Sequence, residues 1–301
     1  MMERNIKIDY FRIVLSLLVI TVHAQPLFRE DSLTGWFISN GIARIAVPCF
    51  FIISGYFLHQ RINDKNAIKK YLSHILIIYT VWSAIYIPVY YQVIEYRSLI
   101  TFALMGYYHL WFLPALIIGI ILFTLFKKFI TNSNILLLIG IIFYLIGYMM
   151  EIHKLPYRLF CNGVFSGYPF IILGYYLKER NISDKIKRMY IYPIILLSLI
   201  TLLIESYWGF KNGIHHNIFI SLYVICPSLF LWILQRSKHI ETTNFIAKLA
   251  SGIYYIHILV LSLIIPLSES YNIYKLPLIV TVSIVLSIFI IIINKRIRIF
   301  L

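Results

Sequence analysis

Ten apolar segments, each read as long enough to cross a bilayer, are separated by loops whose basic residues gather at every second position. A chain patterned in this way folds with lipid rather than water around most of its surface. Helices then suit it best, because each one satisfies its own backbone hydrogen bonds. The segments are 9–28, 37–58, 71–93, 108–126, 134–150, 163–177, 190–206, 217–234, 245–267 and 274–293. Together they predict an all-α, polytopic bundle of about ten transmembrane helices, forming a single domain over residues 1–301. Composition points the same way: 60% of the residues are hydrophobic, 13% are charged and the mean hydropathy is +0.83. No soluble domain buries that much apolar surface.

The formal charge of +15 would suit a nucleic-acid binder if it were spread over one face, but its distribution excludes that class. Arg4 and Lys7 precede the first segment; Arg61, Lys65, Lys69 and Lys70 follow the second; Lys127 and Lys128 follow the fourth. Lys178, Arg180, Lys185, Lys187 and Arg188 follow the sixth, Arg236 and Lys238 the eighth, and Lys295, Arg296 and Arg298 the tenth. Opposite them stand only Arg29, Arg97, Lys154, Arg158, Lys211 and Lys275. The positive-inside rule therefore predicts cytoplasmic N- and C-termini and an even number of spans. Val22-His23-Ala24 resembles a signal-peptidase site, yet Asp9 and Arg12 at the start of the apolar core predict that this helix is retained. Cys49, Cys161 and Cys226 are scattered, with neither metal-site nor disulfide spacing. They read as small buried hydrophobes.

Ionisable groups at membrane depth are costly unless they face a cavity or a partner, so each is a functional candidate. Asp9 and Arg12 lie one turn apart near the inner end of span 1, a spacing that also suits a simple anchoring ion pair. His23 follows Arg12 by 11 residues, about 16 Å further out at 1.5 Å per residue. Arg44 falls near the outer end of span 2, His109 and Trp111 at the outer start of span 4, and Glu205 near the outer end of span 7. The next loop carries Lys211, His215 and His216, and span 9 carries His257 at mid-depth, where taken singly it reads as a core histidine. His23, Arg44, His109, Glu205, Lys211 and His216 are thus expected to converge on one level from different helices.

The same residues carry a resemblance to the acyltransferase family 3 membrane proteins, which O-acylate surface sugars and related acceptors. Ile8-Asp9-Tyr10-Phe11-Arg12 with Val22-His23 resembles the start of that family, and Arg44 with the run Val47–Tyr56, ending Ser54-Gly55-Tyr56, resembles its second-helix signature. His109-Leu110-Trp111-Phe112-Leu113 and Ser251-Gly252-Ile253-Tyr254-Tyr255-Ile256-His257 complete the match. Within the family, Tyr108–Ala115 and Leu203-Ile204-Glu205-Ser206 are similar to the N-terminal membrane domain of the membrane-bound serine racemases of vancomycin resistance. The pyridoxal-phosphate-bearing racemase half has no counterpart here, so neither PLP nor racemisation is expected. Where many relatives carry an Arg-x-x-x-Arg pair after the Ser-Gly-aromatic motif, this chain has Lys70 and His74.

The resemblance implies transfer of an acyl group, acetyl above all, from a cytoplasmic acyl-CoA co-substrate to a hydroxyl of an extracytoplasmic cell-surface acceptor, with no metal. His23 is then expected as general base, Glu205 as its orienter, and Arg44 or His109 as stabiliser of the developing oxyanion. Arg61, Lys69 and Lys70 would hold the donor's phosphates, and Asp9, Arg12, Ser54, Gly55 and Tyr56 would line its path. Trp111, Lys211, His216 and His257 are expected to face the acceptor. The partners implied are membrane lipids and a cell-surface glycan or other envelope acceptor, with a homodimer left open, in a bacterial plasma membrane. Two rivals remain: a serine carrier in which Arg44 and Glu205 clamp a zwitterion, and a scaffold whose buried charges serve packing alone.

Overall fold

The computed structural model describes residues 5–29, 31–94, 105–235, 244–264 and 274–301. Arg4, Arg97, Arg236 and Lys238, used above for topology, lie outside the described residues. The helices of eight residues or more among the described residues are α1 (Ile6–His23), α2 (Leu33–Asn40), α3 (Ala46–Leu58), α4 (Lys65–Ile94), α5 (Phe112–Phe129), α6 (Ser133–Ile152), α7 (Tyr168–Glu179), α8 (Arg188–Asn212), α9 (Leu222–Gln235), α10 (Phe245–Ile264) and α11 (Lys275–Ile297). Each of the ten predicted segments has a helical counterpart, and no strand occurs among the described residues. Among the described residues, seven stretches are long and apolar enough to cross a membrane by themselves. The other three are α1, whose first turns hold Lys7, Asp9 and Arg12, and the shorter α7 and α9.

Burial separates an inner group of helices from an outer one. The windows over Leu33–Leu58, Tyr108–Phe129 and α10 are 61%, 56% and 56% buried, whereas those of α4, α6, α8 and α11 are only 22–28% buried. The outer helices turn Leu197, Ile204, Phe289 and Ile292 outward. In water such a surface would aggregate; in a bilayer it is the lipid contact. The chain is a multi-pass membrane protein.

Inside, α3 packs along α7, and α1 lies against both α3 and α10. The α3–α7 contact depends on two glycines. A Cβ on Gly55 would sit 2.0 Å from the Ile171 carbonyl oxygen, and one on Gly174 would sit 2.0 Å from the Ile52 carbonyl oxygen. Small residues let helix backbones touch where hydrophobicity gives no net drive to association. Gly55, expected to line the donor's path, is therefore a packing residue at a helix crossing.

Three of the predicted spans are not regular helices at the ends that the charge pattern predicts to face outward, which are called outer below. Span 2 breaks at Gly41 (φ −121°, ψ −86°), and a 3-10 turn, Ile42–Ile45, joins α2 to α3. Span 4 opens with a 3-10 turn, Tyr108–Trp111, after Gly106 and Tyr108 adopt positive φ. Span 6 opens with a π-helical turn, Gly163–Gly167, capped by the Asn162 side chain, which accepts from the backbone N–H groups of Val164 and Phe165. Arg44 sits in the first break and His109 in the second. Irregular backbone at such depth is tolerated where it lines a cavity.

Candidate functional site

A cavity of about 480 Å³ opens where these broken ends meet, lined by His23, Arg44, Trp111, Arg158 and Asn217 among mostly apolar neighbours. That volume suits a small ligand. His23, the last residue of α1, is half-buried in its wall. Two further imidazoles stand behind it: the His23 ring lies 5.4 Å from His257 and 6.5 Å from His109, and the latter two are 4.8 Å apart, centroid to centroid. His109 is 1% exposed and His257 is fully buried.

Backbone carbonyls settle the tautomers of the inner pair. His257 Nδ1 donates to the Tyr254 carbonyl at 2.7 Å and His109 Nε2 to the Tyr255 carbonyl at 3.3 Å. The opposite nitrogens, His257 Nε2 and His109 Nδ1, keep lone pairs without a protein partner. His109 is thus an acceptor on its unpartnered side, which does not suit the expected oxyanion donor. Among the described residues, no His, Cys, Asp or Glu group is arranged to hold a metal ion.

Arg44 is held by neutral groups. Its guanidinium donates at 2.9 Å to Asn217 Oδ1 and at 2.9 Å to Asn40 Oδ1. Asn217 is in turn fixed by Glu151, whose carboxylate accepts from the Asn217 N–H (2.6 Å), the Asn217 side-chain amide (3.2 Å) and the Ile218 N–H (2.8 Å). His216 Nδ1 lies 3.8 Å from the same carboxylate. In the loop between α8 and α9, burial and then the charge of Arg44 push the His215 imidazole below its ordinary pKa. His215 Nδ1 stands 3.2 Å from Asn40 Oδ1.

Beneath the outer cavity lies an aromatic wall. Phe50, Phe51, Phe112 and Tyr254 contact one another at ring separations of 4.8–5.8 Å, and the Tyr254 hydroxyl donates to the His109 carbonyl at 2.7 Å. On its other side are two cavities, of about 300 and 510 Å³, which share Arg12, Ser54 and Tyr71. Arg12 lies 3.6 Å from Asp9, and Arg61 lies over the Tyr71 ring at 5.0 Å.

The structure thus gathers His23, Arg44 and Trp111 around the outer cavity, with His109 and His257 behind them, and Asp9, Arg12, Ser54 and Arg61 around the inner ones. It separates the rest. The Glu205 carboxylate is occupied by the Ile220 and Ser221 N–H groups and the Ser221 hydroxyl, capping the start of α9, and it lines no cavity wall with His23. Lys211 is exposed at the end of α8. His216 packs between Trp208 and Phe219, outside the cavity lining. The Tyr56 ring packs on Phe57 and Phe230, under Lys178, and Lys69 and Lys70 are exposed and line neither inner cavity. His74 does line the smaller one. Sequence reasoning missed Glu151 and Asn217. The first lies one residue beyond the predicted span 134–150 and the second begins the span 217–234, so an acid at membrane depth was the signal for Glu151.

Comparison with known proteins identifies the family. The acyltransferase family 3 domain, described as "Acyltransferase domain", matches residues 5–293. The chain is 27% identical over 286 residues to a serine/alanine racemase of Enterococcus gallinarum, an alignment covering 84% of this chain and 40% of that protein. It is 28% identical over 313 residues to an amino-acid racemase of Enterococcus faecalis, covering 91% of this chain and 43% of that protein. The chain thus spans about two-fifths of the length of these relatives. No solved structure shows a significant match.

Proposed function

The chain belongs to acyltransferase family 3, and on that premise we propose that it moves a short acyl group from an acyl-CoA thioester, docked in the inner cavities, to a hydroxyl of an extracytoplasmic envelope acceptor seated in the outer one. The observation that carries the reading is the placement of His23. It stands in the wall of the outer cavity, and a layer of aromatic rings lies between that cavity and the arginine-lined inner ones. A thioester arm reaching past that layer brings its carbonyl to His23.

There His23 takes the proton of the acceptor hydroxyl, and the oxygen attacks the thioester carbonyl carbon. The C–S bond breaks, and the thiolate leaves with the proton that His23 holds. The neutral lone pair of His257 Nε2 is available to orient the His23 ring. Neutral imidazole suits proton transfer near pH 7. On the donor side, Arg12 and Arg61 are the cations that line the inner cavities and suit phosphates.

A serine carrier is the alternative that similarity to racemases of serine and other amino acids leaves open, but its clamp needs Arg44 and Glu205 to face one ligand, and the Glu205 carboxylate is taken up by the start of α9. Sealed membranes holding the protein or His23→Ala, incubated with labelled acetyl coenzyme A, test the proposal. Label entering a covalent product only when His23 is present is the expected result. Serine flux without any transfer would move the assignment to the carrier.

A further inference from the structure

The outer cavity contains two guanidinium groups, and neither is neutralised directly. Arg44 donates only to the amide oxygens of Asn40 and Asn217, and its buried Nε has no protein partner. The Arg158 guanidinium meets the Tyr157 hydroxyl at 3.4 Å and that residue's ring. Among the described residues no carboxylate lies within 4.0 Å of either. Glu151, the acid nearest in the network, is already committed to two backbone N–H groups, the Asn217 amide and His216. Arg44, held at membrane depth with one indirect counter-charge, is costly there, and Arg158 adds a second cation from the turn at the edge of the same cavity.

We infer that the outer cavity selects a hydroxylated acceptor bearing a single negative charge, bound between Arg44 and Arg158 with its hydroxyl toward His23. The inference rests on the proposed transfer only for the role of that hydroxyl. Anion recognition itself rests on the two arginines. Guanidinium forks match the planar carboxylate and the phosphodiester alike, so the shared chemistry is a monoanion. A neutral sugar would leave both charges unmet.

The test uses the full chain in lipid nanodiscs and follows its melting temperature, since a ligand that binds the folded state raises it. Three probes of similar size are compared: glycerate, its neutral carboxamide glyceramide, and the phosphodiester glycerol methyl phosphate. An anion is expected to raise the melting temperature while glyceramide does not. Whichever anion shifts it more identifies the carboxylate or the phosphodiester as the group recognised.

Arg44→Gln and Arg158→Gln are each expected to lose the shift, and Arg44→Lys to keep part of it. Because the hydrogen bond and ring contact of the Arg158 guanidinium among the described residues are both with Tyr157, its variant keeps the test open if Arg44→Gln does not fold. Equal shifts with glyceramide, no shift with either anion, or a shift that survives in Arg158→Gln would overturn the inference. No thioester enters the assay, so a membrane preparation without acyl transfer would defeat the proposed reaction while arginine-dependent anion binding stood.

Discussion

His23 and Glu205 are both ionisable groups on membrane helices, yet their surroundings predict opposite consequences of removing them. His23 lines a cavity that admits a ligand. His23→Ala is expected to lower acyl transfer about 10²–10⁴-fold, the usual contribution of a general base, with an unchanged melting temperature. A variant that retains full transfer would remove His23 from the reaction. Among the described residues, Glu205 accepts from the Ile220 and Ser221 N–H groups just before α9 and from the Ser221 hydroxyl. Glu205→Ala is therefore expected to cost about 0.5–2 kcal/mol of stability, as lost helix caps do, while transfer persists. Glu151→Ala combines the two effects, since it strands two backbone N–H groups and frees the Asn217 that holds Arg44. Both stability and transfer should fall, measured on one preparation by melting and by label incorporation.

At the level of helices, the site exists because three spans stop being regular where it forms. The Gly41 break lets Arg44 leave the α3 face and reach Asn40 and Asn217, and the turn at Tyr108–Trp111 turns His109 back toward α10. Nothing in an apolar run announces such a break, because hydropathy reads the same through a 3-10 turn as through an α-helix. The close α3–α7 crossing is likewise invisible until both helices are seen. Gly55→Ala would force a methyl group against the Ile171 carbonyl, closer than any real contact. It should destabilise the chain by at least the ~1–3 kcal/mol of ordinary overpacking, and Gly174→Ala should do the same from the other side. Melting curves matching wild type for both would show that the crossing is not tight.

At the level of the whole molecule, the arrangement of charged loops predicts a definite orientation. Lys187 and Lys211 bracket α8 and are both exposed. With both termini inside, a cysteine replacing Lys211 should react from outside with a membrane-impermeant thiol reagent, and one replacing Lys187 only after permeabilisation. The native cysteines are buried and free, so the background stays low. The reverse pattern would invert the bundle and with it the sides assigned to donor and acceptor.

The sequence alone determined the membrane setting, the helical class, the approximate span limits and the family, because these follow from local quantities: the length of an apolar run, the sign of the loops, and short motifs. It also indicated that His23, Arg44 and His109 lie at one level, since depth along a helix is a matter of counting residues, and it wrongly set Glu205, Lys211 and His216 beside them. Only the tertiary structure decided that His109 and His257 stand behind His23, that Glu205 caps a helix, that Gly55 is a crossing, and that Glu151 holds the Arg44 network through Asn217. Depth says nothing about the direction a side chain faces. Facing depends on how each helix is rotated and where it crosses its neighbours, and those are set by packing among residues far apart in the chain.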